Sequence, residues 1–329
     1  MTTNPIINIA VLGAASIALR SVIPAINSLP NHFRLAGISS RDRSKAETIS
    51  SAYECKAYGT YESLVTDRSI DAIYIPLPNA LHFPFAKMAL ENGKHVLVEK
   101  SLGCTLDEVE EMVEIAKANN RVLFENFQFR FHSQLEIILQ IIKDGTIGDL
   151  RSMRVAFGFP PFFDPDNIRY SAELGGGALL DAGAYAMKIA PFFLGKDIFV
   201  AQASSAQDQI RGVDIWGGGV VRQQNGPLFC HFSYGFDHYY QCSLELWGNI
   251  GKLMTNRIFT APVGYKPKLI IQTQNVVEEH SLSADDQFKN MLEHFYSLIT
   301  GGESVLMEYE QNVQQAGLIH DFKQLAERY

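Results

Sequence analysis

The first 126 residues alternate short apolar runs with longer segments of helical periodicity, and this alternation limits the possible folds more than any other feature. Two of the helical segments span 80–92 and 105–119. Strands that alternate with helices of this length form a doubly wound parallel sheet. The predicted strands span 6–12, 33–38, 70–75, 94–100 and 121–126.

The carboxyl ends of these strands mark the expected ligand site, because ligands of open parallel sheets bind beyond that edge. The run 94–100 ends in a carboxylate and an ammonium, Glu99 and Lys100. Glycine or polar groups follow other strands. The residues at the five ends are Gly13, Ser39, Pro76, Lys100 and Asn126.

The turn after the first strand resembles a dinucleotide-binding fingerprint, which uses three glycines for the turn, the pyrophosphate approach and helix packing. Here only Gly13 is glycine, and Ala15 and Ala18 occupy the other two positions. An ordinary strand–helix turn would show the same pattern, but the surrounding alternation favours a Rossmann domain that binds NAD(P). The predicted pyrophosphate loop comprises Gly13, Ala14, Ala15, Ser16, Ile17 and Ala18.

The end of the second strand favours NADP(H) over NAD(H), although NAD(H) stays possible. An NAD site usually has an acidic residue here for the ribose 2′-hydroxyl. This chain has Ser39, Ser40 and Arg41 instead. Hydroxyls and a planar cation suit a 2′-phosphate, which a carboxylate would repel. The alternative is that 39–44 only cap the next helix.

The remaining chain, 127–329, predicts a second α+β domain after a Rossmann domain of residues 1–126. Repeated β segments between 198 and 271, without helices long enough for parallel crossovers, predict a large, mostly antiparallel open sheet. One face of such a sheet is a candidate subunit interface. Predicted helices span 133–143, 178–194, 284–300 and 308–328.

Composition excludes several classes of function. The net charge of −8, without any Lys/Arg cluster, argues against nucleic acid as a partner. The N-terminal residues resemble neither a signal peptide nor a membrane span, and the four scattered cysteines have no metal-binding spacing. We therefore expect a cytoplasmic protein with no metal site and no membrane partner.

The predicted helix 178–194 follows three consecutive glycines and carries two candidate site residues. Asp181 and Tyr185 are four residues apart, so they share one helix face. Lys188 is offset from that face, and we expect it to be solvated. An acidic residue in a first helical turn and a partly buried aromatic residue are the commoner explanation of such a pair.

Several of these segments together resemble the glucose–fructose oxidoreductase/inositol dehydrogenase (Gfo/Idh/MocA) family, over essentially the full chain. The resemblance implies a two-domain NAD(P)-dependent oxidoreductase of sugars, polyols or related carbonyls, usually a homo-oligomer through the C-terminal sheet. A homodimer or a homotetramer is therefore expected. The matching segments are 13–18, 75–82, 93–100, 130–132, 175–177 and 181–185.

The resemblance also implies roles for individual residues. Lys100 matches the family lysine that touches both nicotinamide and substrate. Further residues in the matching segments or at strand ends are expected to contact the cofactor; they are Pro76, Leu77, Asn79, His82, Glu99, Asn126 and Arg130.

The chain departs from the family pattern at two positions. Tyrosine stands at 185 where the family often has histidine, as in the branch of glucose–fructose oxidoreductase, dimeric dihydrodiol dehydrogenase and the sugar 3-ketoreductases. Ser101 follows Lys100 where proline is usual. If the family bond is cis there, serine accepts a cost of about 3–4 kcal/mol that proline largely avoids.

The resulting hypothesis is reduction of a keto-sugar, possibly nucleotide-linked, with NADPH. Tyr185 donates the proton, Lys100 supplies a positive charge that makes the phenol more acidic, and Asp181 orients the substrate. Two alternatives stay open. One is oxidation of small diols, with which the Phe-rich loop 157–163 is compatible; the other is a non-catalytic NADP-binding regulator. Candidate cations for a nucleotide-linked substrate are Arg151, Arg154 and Arg169.

Overall fold

The chain divides into two units in the computed structural model, which describes residues 5–329. The first unit runs up to Asn126 and includes Phe288–Ala316. The second comprises Phe127–Gln287 and Gly317–Tyr329. The stretch Phe288–Ala316 is thus separated in sequence from the rest of the first unit.

The first unit is built on a six-stranded parallel sheet with the order β3-β2-β1-β4-β5-β6. Its strands are β1 Ile7–Leu12, β2 Phe33–Ser39, β3 Lys56–Tyr58, β4 Ala72–Ile75, β5 His95–Glu99 and β6 Leu123–Asn126. The helices between them are α1 Ile23–Asn27, α2 Arg43–Tyr53, α3 Tyr61–Val65, α4 His82–Glu91 and α5 Leu106–Ala118.

Local sequence explains where these elements begin and end. The α5 helix starts at a capping box, in which Thr105 Oγ1 accepts from Glu108 N at 3.2 Å and Glu108 Oε2 accepts from Thr105 N at 3.3 Å. Gly93, in the left-handed region at φ 72°, lets the chain leave α4 and enter β5 directly. The strands β1 and β4 are buried along nearly all of their length, as expected of a sheet covered on both faces.

The segment 288–316 joins the first unit because its side chains pack on that unit's core and bond its backbone. Tyr309 and Ala316 belong to the buried apolar cluster of the parallel sheet. Asn312 Nδ2 donates to Leu123 O at 3.1 Å, and the Tyr309 hydroxyl donates to Arg121 O. These contacts join residues far apart in sequence, so local patterns do not reveal them.

The second unit contains a nine-stranded mixed sheet, in which most neighbouring strands are antiparallel, with the order β14-β13-β12-β11-β7-β10-β9-β8-β15. Its strands are β7 Leu150–Gly158, β8 Ile198–Asp208, β9 Val213–Gln223, β10 Phe229–Gly235, β11 Gln241–Gly248, β12 Gly251–Thr255, β13 Lys268–Thr273, β14 Val277–Ser281 and β15 Glu327–Arg328. The remaining helices of the whole chain are α6 Ser133–Lys143, α7 Ala184–Leu194, α8 Gln287–Thr300 and α9 Leu306–Leu325. Of these, nearly all of α8 and the first part of α9 belong to the first unit. The predicted fold class, a doubly wound parallel sheet plus a large, mostly antiparallel open sheet, is confirmed.

One face of the second sheet is covered by α7, which packs on β7, β9 and β10. Inward side chains such as Val155 and Leu244 are buried. The other face is open, and Trp216 and Trp247 are about half exposed on it, at 45% and 52%. Arg154 pairs there with Glu245 of the neighbouring strand at 3.6 Å.

The segment predicted as one helix, 178–194, is helical throughout, with a π-helical turn at Leu179–Gly183 before α7. Two other local predictions were wrong. Lys188 is 4% exposed, with Nζ 5.2 Å from the centroid of the Phe127 ring, so it is buried rather than solvated. The last predicted helix, 308–328, ends at Leu325 because Glu327–Arg328 pairs with β8.

No helix within residues 5–329 is both long enough and apolar enough to cross a membrane.

Candidate functional site

The turn after β1 has the geometry that a pyrophosphate-binding loop requires. Gly13 lies at φ 121°, and its N–H donates to Ser39 O at 2.8 Å. A Cβ at this position would lie 2.8 Å from Leu77 Cδ2, so a side chain is excluded. Ala18 is fully buried beneath the turn, which explains why a small residue without glycine's freedom suffices there.

The end of β2 separates the three residues predicted to bind a 2′-phosphate. Ser39 is fully buried, and its hydroxyl donates to Tyr58 O at 3.3 Å. Ser40 and Arg41 lie further out, and within residues 5–329 Arg41 has no ion-pair partner, unlike Arg43, which pairs with Glu47 at 2.8 Å. The capping alternative also holds, because Asp42 Oδ1 accepts from Lys45 N at the start of α2.

Glu99 is held from two sides at the end of β5. Its Oε1 accepts from the Tyr74 hydroxyl and from Asn126 Nδ2, both at 2.6 Å. Burial raises the pKa of Glu99, while these two hydrogen bonds and the Lys100 ammonium oppose the shift. The other amide atom of Asn126, Oδ1, is buried without a hydrogen-bond partner in the described structure, so it is available to a ligand.

His82 holds the turn that carries Lys100. Its two ring nitrogens lie 2.7 Å from Ser101 O and from Leu77 O. Burial lowers the pKa of His82 to about 4, so the neutral ring donates from one nitrogen at neutral pH. The Lys100–Ser101 peptide bond is cis, although serine follows Lys100 where the family usually has proline. His82 therefore contacts protein backbone rather than presenting a free imidazole to a cofactor.

Tyr185, in the first turn of α7, lies in an aromatic enclosure within the second unit. It is 6% exposed. Four rings have their centroids between 5.1 and 5.9 Å from its own; they belong to Phe127, Phe129, Phe157 and Phe259. Such surroundings exclude water from the phenol and fix its orientation.

Asp181, in the π-helical turn before α7, is paired with an arginine from a distant loop. Arg169 Nε donates to Asp181 Oδ2 at 2.6 Å, and the guanidinium lies 4.9 Å from the Phe162 ring centroid. The pKa of Arg169 is raised, first by the Asp181 carboxylate and to a smaller extent by Tyr185. Arg169, Asp181 and Tyr185 therefore form one group of charged and ionisable side chains.

Asp214, on β9, fixes the start of the segment that carries Asp181 and Tyr185. Its Oδ2 accepts from Leu179 N at 2.7 Å. A Cβ on Gly177 would lie 2.3 Å from the other carboxylate oxygen, which explains glycine at this position. Burial raises the pKa of Asp214 to about 6.

The two units divide the predicted site residues between them. The first unit holds the loop 13–18, the ends of β2, β4, β5 and β6, and Lys100. Asp181, Tyr185 and Arg130, the last of which was expected to bind cofactor, belong to the second unit. Tyr74 and Asp214 were not predicted as site residues, because an isolated tyrosine in a strand and a lone acidic residue in a β segment carry no signal in the sequence. Arg169 appeared only as one of three candidate cations.

Comparison with known proteins identifies the family. The family model of the GFO_IDH_MocA oxidoreductases, described as having an NAD-binding Rossmann fold, matches residues 7–127, and the GFO/IDH/MocA C-terminal domain matches 136–254. The chain belongs to the Gfo/Idh/MocA oxidoreductase family. The predicted family and the predicted enzyme class are thereby confirmed.

Among members of the Gfo/Idh/MocA family, two sugar ketoreductases are similar over nearly the whole chain. A dTDP-3,4-didehydro-2,6-dideoxy-α-D-glucose 3-reductase from Saccharopolyspora spinosa is 39% identical over 91% of this chain and 89% of its own. A 3-ketoreductase from Actinomadura kijaniata, crystallised with NADP and TDP-benzene, superposes with a TM-score of 0.94 at 32% identity, covering 98% and 99% of the two chains.

A third relative matches only in part. The trans-1,2-dihydrobenzene-1,2-diol dehydrogenase of Xenopus laevis is 36% identical over 50% of this chain and 50% of its own. Two of the three kinds of enzyme in the branch named by the sequence resemblance, the sugar 3-ketoreductases and the dihydrodiol dehydrogenases, are thus among the similar proteins.

The residues of the first unit fit a nicotinamide dinucleotide. The side-chain-free turn at Gly13 leaves room for a pyrophosphate, Arg41 offers a cation at the end of β2, and Asn126 presents an unpartnered buried oxygen. The last residue of β2 and the two that follow it, Ser39, Ser40 and Arg41, include no carboxylate, which would repel a 2′-phosphate.

Proposed function

We propose that the protein is an NADP(H)-dependent reductase of keto-sugars, with a nucleotide-linked sugar as substrate. The observation that carries the proposal is the group around Tyr185, in which a phenol enclosed by aromatic rings lies beside the Arg169–Asp181 ion pair. This arrangement holds a proton donor in fixed, water-poor surroundings, as ketone reduction requires. The similar proteins that are named as sugar ketoreductases support the same reaction.

The nicotinamide, when bound, supplies the hydride. As the carbonyl carbon is reduced, negative charge develops on its oxygen, and Tyr185 donates a proton to that oxygen. Lys100 donates a hydrogen bond to the same oxygen and stabilises the charge. His82 acts on this step only indirectly, because its ring contacts Ser101 O directly after Lys100. Glu99, directly before Lys100, is held through its side chain by Tyr74 and Asn126.

The preference for NADP(H) is assigned to the end of β2. In this proposal Arg41, which has no ion-pair partner within the described residues, binds the 2′-phosphate, and the Ser40 hydroxyl adds a donor. Ser39 contributes less than the sequence suggested, because its hydroxyl is buried against Tyr58 O.

Oxidation of small vicinal diols is a second candidate function. The enclosure of Tyr185 continues into a wider aromatic cluster, whose further members are Phe159, Phe162, Tyr170 and Phe236. An apolar surface of this kind suits an unsaturated ring better than a hydroxyl-rich sugar. The diol dehydrogenase relative points to the same substrate class.

A homo-oligomer through the open face of the second sheet is part of the proposal. Half-exposed Trp216 and Trp247 on this face, with the Arg154–Glu245 pair between neighbouring strands, have the composition of an interface. A second copy of the same face would cover them by two-fold symmetry.

The test is NADPH consumption with nucleotide-linked keto-sugars, free keto-sugars and small ketones, using wild type, Lys100→Ala and Tyr185→Phe. We expect turnover with one class of substrate, and a loss of about 10²–10⁴-fold in kcat for Tyr185→Phe with nearly unchanged NADPH affinity, the range expected for general acid catalysis. Tyr239→Phe is the control, because Tyr239 is 92% exposed in the turn between β10 and β11.

NADPH binding without turnover of any ketone or diol would contradict the enzyme assignment and favour a regulator. An unchanged rate in Tyr185→Phe would instead remove only the assigned proton donor.

A further inference from the structure

Arg169 is anchored at one end of its guanidinium and open at the other. Its Nε is committed to Asp181, but its side chain is still 37% exposed. Within residues 5–329 this is the side chain's only hydrogen bond, so both terminal nitrogens remain available as donors. The Phe162 ring, 4.9 Å from the guanidinium carbon, supports the group from another side.

The backbone of Arg169 is fixed as firmly as its side chain. Gly177 N donates to Arg169 O at 2.9 Å, and a Cβ on Gly176 would lie 2.5 Å from that same oxygen. Asn167 Oδ1 accepts from Arg169 N at 3.1 Å. The glycine turn therefore serves two purposes, since it starts the helical segment of Tyr185 and holds Arg169 beside it. A cation placed in this way needs little reorganisation to bind a ligand.

The position of Arg169 relative to Tyr185 defines what it can bind. Arg169 Nε donates to Asp181 Oδ2 at 2.6 Å, and Asp181 lies one helical turn before Tyr185 in the same helical segment. A donor next to the proton-donating phenol reaches the reacting oxygen and the oxygen on the neighbouring carbon. A distant part of the substrate, such as a diphosphate, would need the cation elsewhere.

We propose that the terminal nitrogens of Arg169 bind a vicinal pair of substrate oxygens and make this residue a determinant of substrate specificity. A guanidinium presents two parallel donors, which match two acceptors side by side. A 3,4-didehydro sugar and a 1,2-diol, the substrates named for the two kinds of relative, both have oxygens on adjacent carbons. The inference rests on the proposed function and narrows its substrate class.

The experiment compares oxidation of trans-1,2-cyclohexanediol and of cyclohexanol with NADP⁺. In both, hydride passes from the carbinol carbon to NADP⁺ and the hydroxyl proton leaves through Tyr185, so only the second oxygen differs. We expect wild type to prefer the diol. Arg169→Lys keeps the positive charge but removes the two parallel donors of the guanidinium. It should lower kcat/KM for the diol about 10- to 100-fold, the effect of losing a hydrogen bond to a charged group. The kcat/KM for cyclohexanol should fall much less.

Arg211→Lys is the matched control, because Arg211 makes the same kinds of contact in the same unit. It pairs with Asp208 at 3.2 Å and lies 4.5 Å from the Tyr170 ring centroid. This variant should leave the ratio of the two kcat/KM values unchanged. A purely structural role of Arg169 would lower both values together and leave the ratio constant.

An unchanged ratio in Arg169→Lys, with an active wild type, overturns the inference while the reductase assignment stands. If wild type oxidises neither alcohol, binding of the two to the NADP-saturated protein is measured by calorimetry. If wild type binds the diol more tightly than cyclohexanol and Arg169→Lys does not, the inference is supported. If wild type binds the two alcohols equally, or binds neither, the inference is overturned. The reductase assignment is judged separately by the keto-sugar panel.

Discussion

At the scale of single residues, the end of β2 shows how one unpaired cation can select a cofactor. Within residues 5–329 Arg41 forms no ion pair, whereas Arg43, two residues later, pairs with Glu47 at 2.8 Å. A 2′-phosphate would therefore meet Arg41 without first displacing a carboxylate. This difference makes the two arginines a matched pair for mutation.

Arg41→Ala should raise the Kd for NADPH by about 10-fold or more, the worth of a charge-assisted hydrogen bond, and change that for NADH little. Arg43→Ala should change neither. Both constants are measured by quenching of protein fluorescence. If Arg41→Ala raised the Kd for NADPH and the Kd for NADH by the same factor, the assignment of the 2′-phosphate site would be contradicted.

The buried carboxyl of Asp214 should make stability depend on pH. Because burial raises its pKa from 3.8 to about 6, the folded state binds the proton more tightly than the unfolded state. The stability that this group contributes is therefore greatest at low pH and is lost as the pH rises through about 6. Asp214→Asn removes the titration while its amide oxygen still accepts from Leu179 N.

The free energy of unfolding of Asp214→Asn minus that of wild type should be larger at pH 7.5 than at pH 5 by about 1 kcal/mol, so the variant is relatively more stable at the higher pH. Urea denaturation at the two pH values measures it. Asp208→Asn is the control, because hydrogen bonds to Arg211 and Ile210 lower the pKa of Asp208 and it does not titrate in this range. A difference for Asp214→Asn that stays constant between the two pH values would contradict the prediction.

At the scale of secondary structure elements, the glycine turn before α7 connects three parts of the second unit. Gly176 packs on the backbone of Arg169, and Gly177 packs on the carboxylate of Asp214. The turn then leads through a π-helical segment into α7. Side chains on this turn would separate the elements that carry Arg169, Asp181 and Tyr185.

Gly177→Ala should therefore destabilise the fold by more than the cost of its backbone conformation. Its φ is 106°, and the new Cβ would lie 2.3 Å from Asp214 Oδ1. Gly145→Ala is the control, because Gly145 also has a positive φ, 72°, but meets no atom within 4 Å. We expect a loss of about 1–2 kcal/mol for Gly145→Ala and a clearly larger one for Gly177→Ala. Equal losses in urea denaturation would show that the contact with Asp214 is unimportant.

At the scale of the whole molecule, one face of the nine-stranded sheet carries large exposed aromatic side chains within the described residues 5–329. Two tryptophans lie on that face about half exposed. In a monomer their apolar surface would stay in contact with water, which is unfavourable. Trp247 is also close to Arg154, whose guanidinium carbon is 5.8 Å from its ring centroid. An interface centred on these residues would desolvate an aromatic–cation pair, a frequent feature of strong binding sites.

Trp247→Glu should lower the mass measured by light scattering after size exclusion, since it places a charge in the proposed interface, and should leave the circular dichroism spectrum unchanged. Tyr239→Glu is the control, because Tyr239 is 92% exposed in the turn between β10 and β11 rather than on the sheet face. A wild-type protein that is already monomeric would contradict the proposed interface.

The sequence by itself determined the fold class and the family, because both depend on local patterns. Alternating apolar and helical segments specify a doubly wound sheet, and its connectivity brings the ends of β1, β2, β4, β5 and β6 to one edge. Lys100 and Tyr185 were recognised as candidates because each lies in a short family segment. None of these inferences needed a contact between distant residues.

Only the tertiary structure decided which side chains pair. Arg169 with Asp181, Asp214 with Leu179, and the segment 288–316 with the parallel sheet all join elements separated by loops or strands. Lys188 was misplaced for the same reason, since helical periodicity does not reveal that Phe127 covers it. Periodicity specifies which face of an element is apolar, whereas the partner of each polar group depends on the packing of the whole chain.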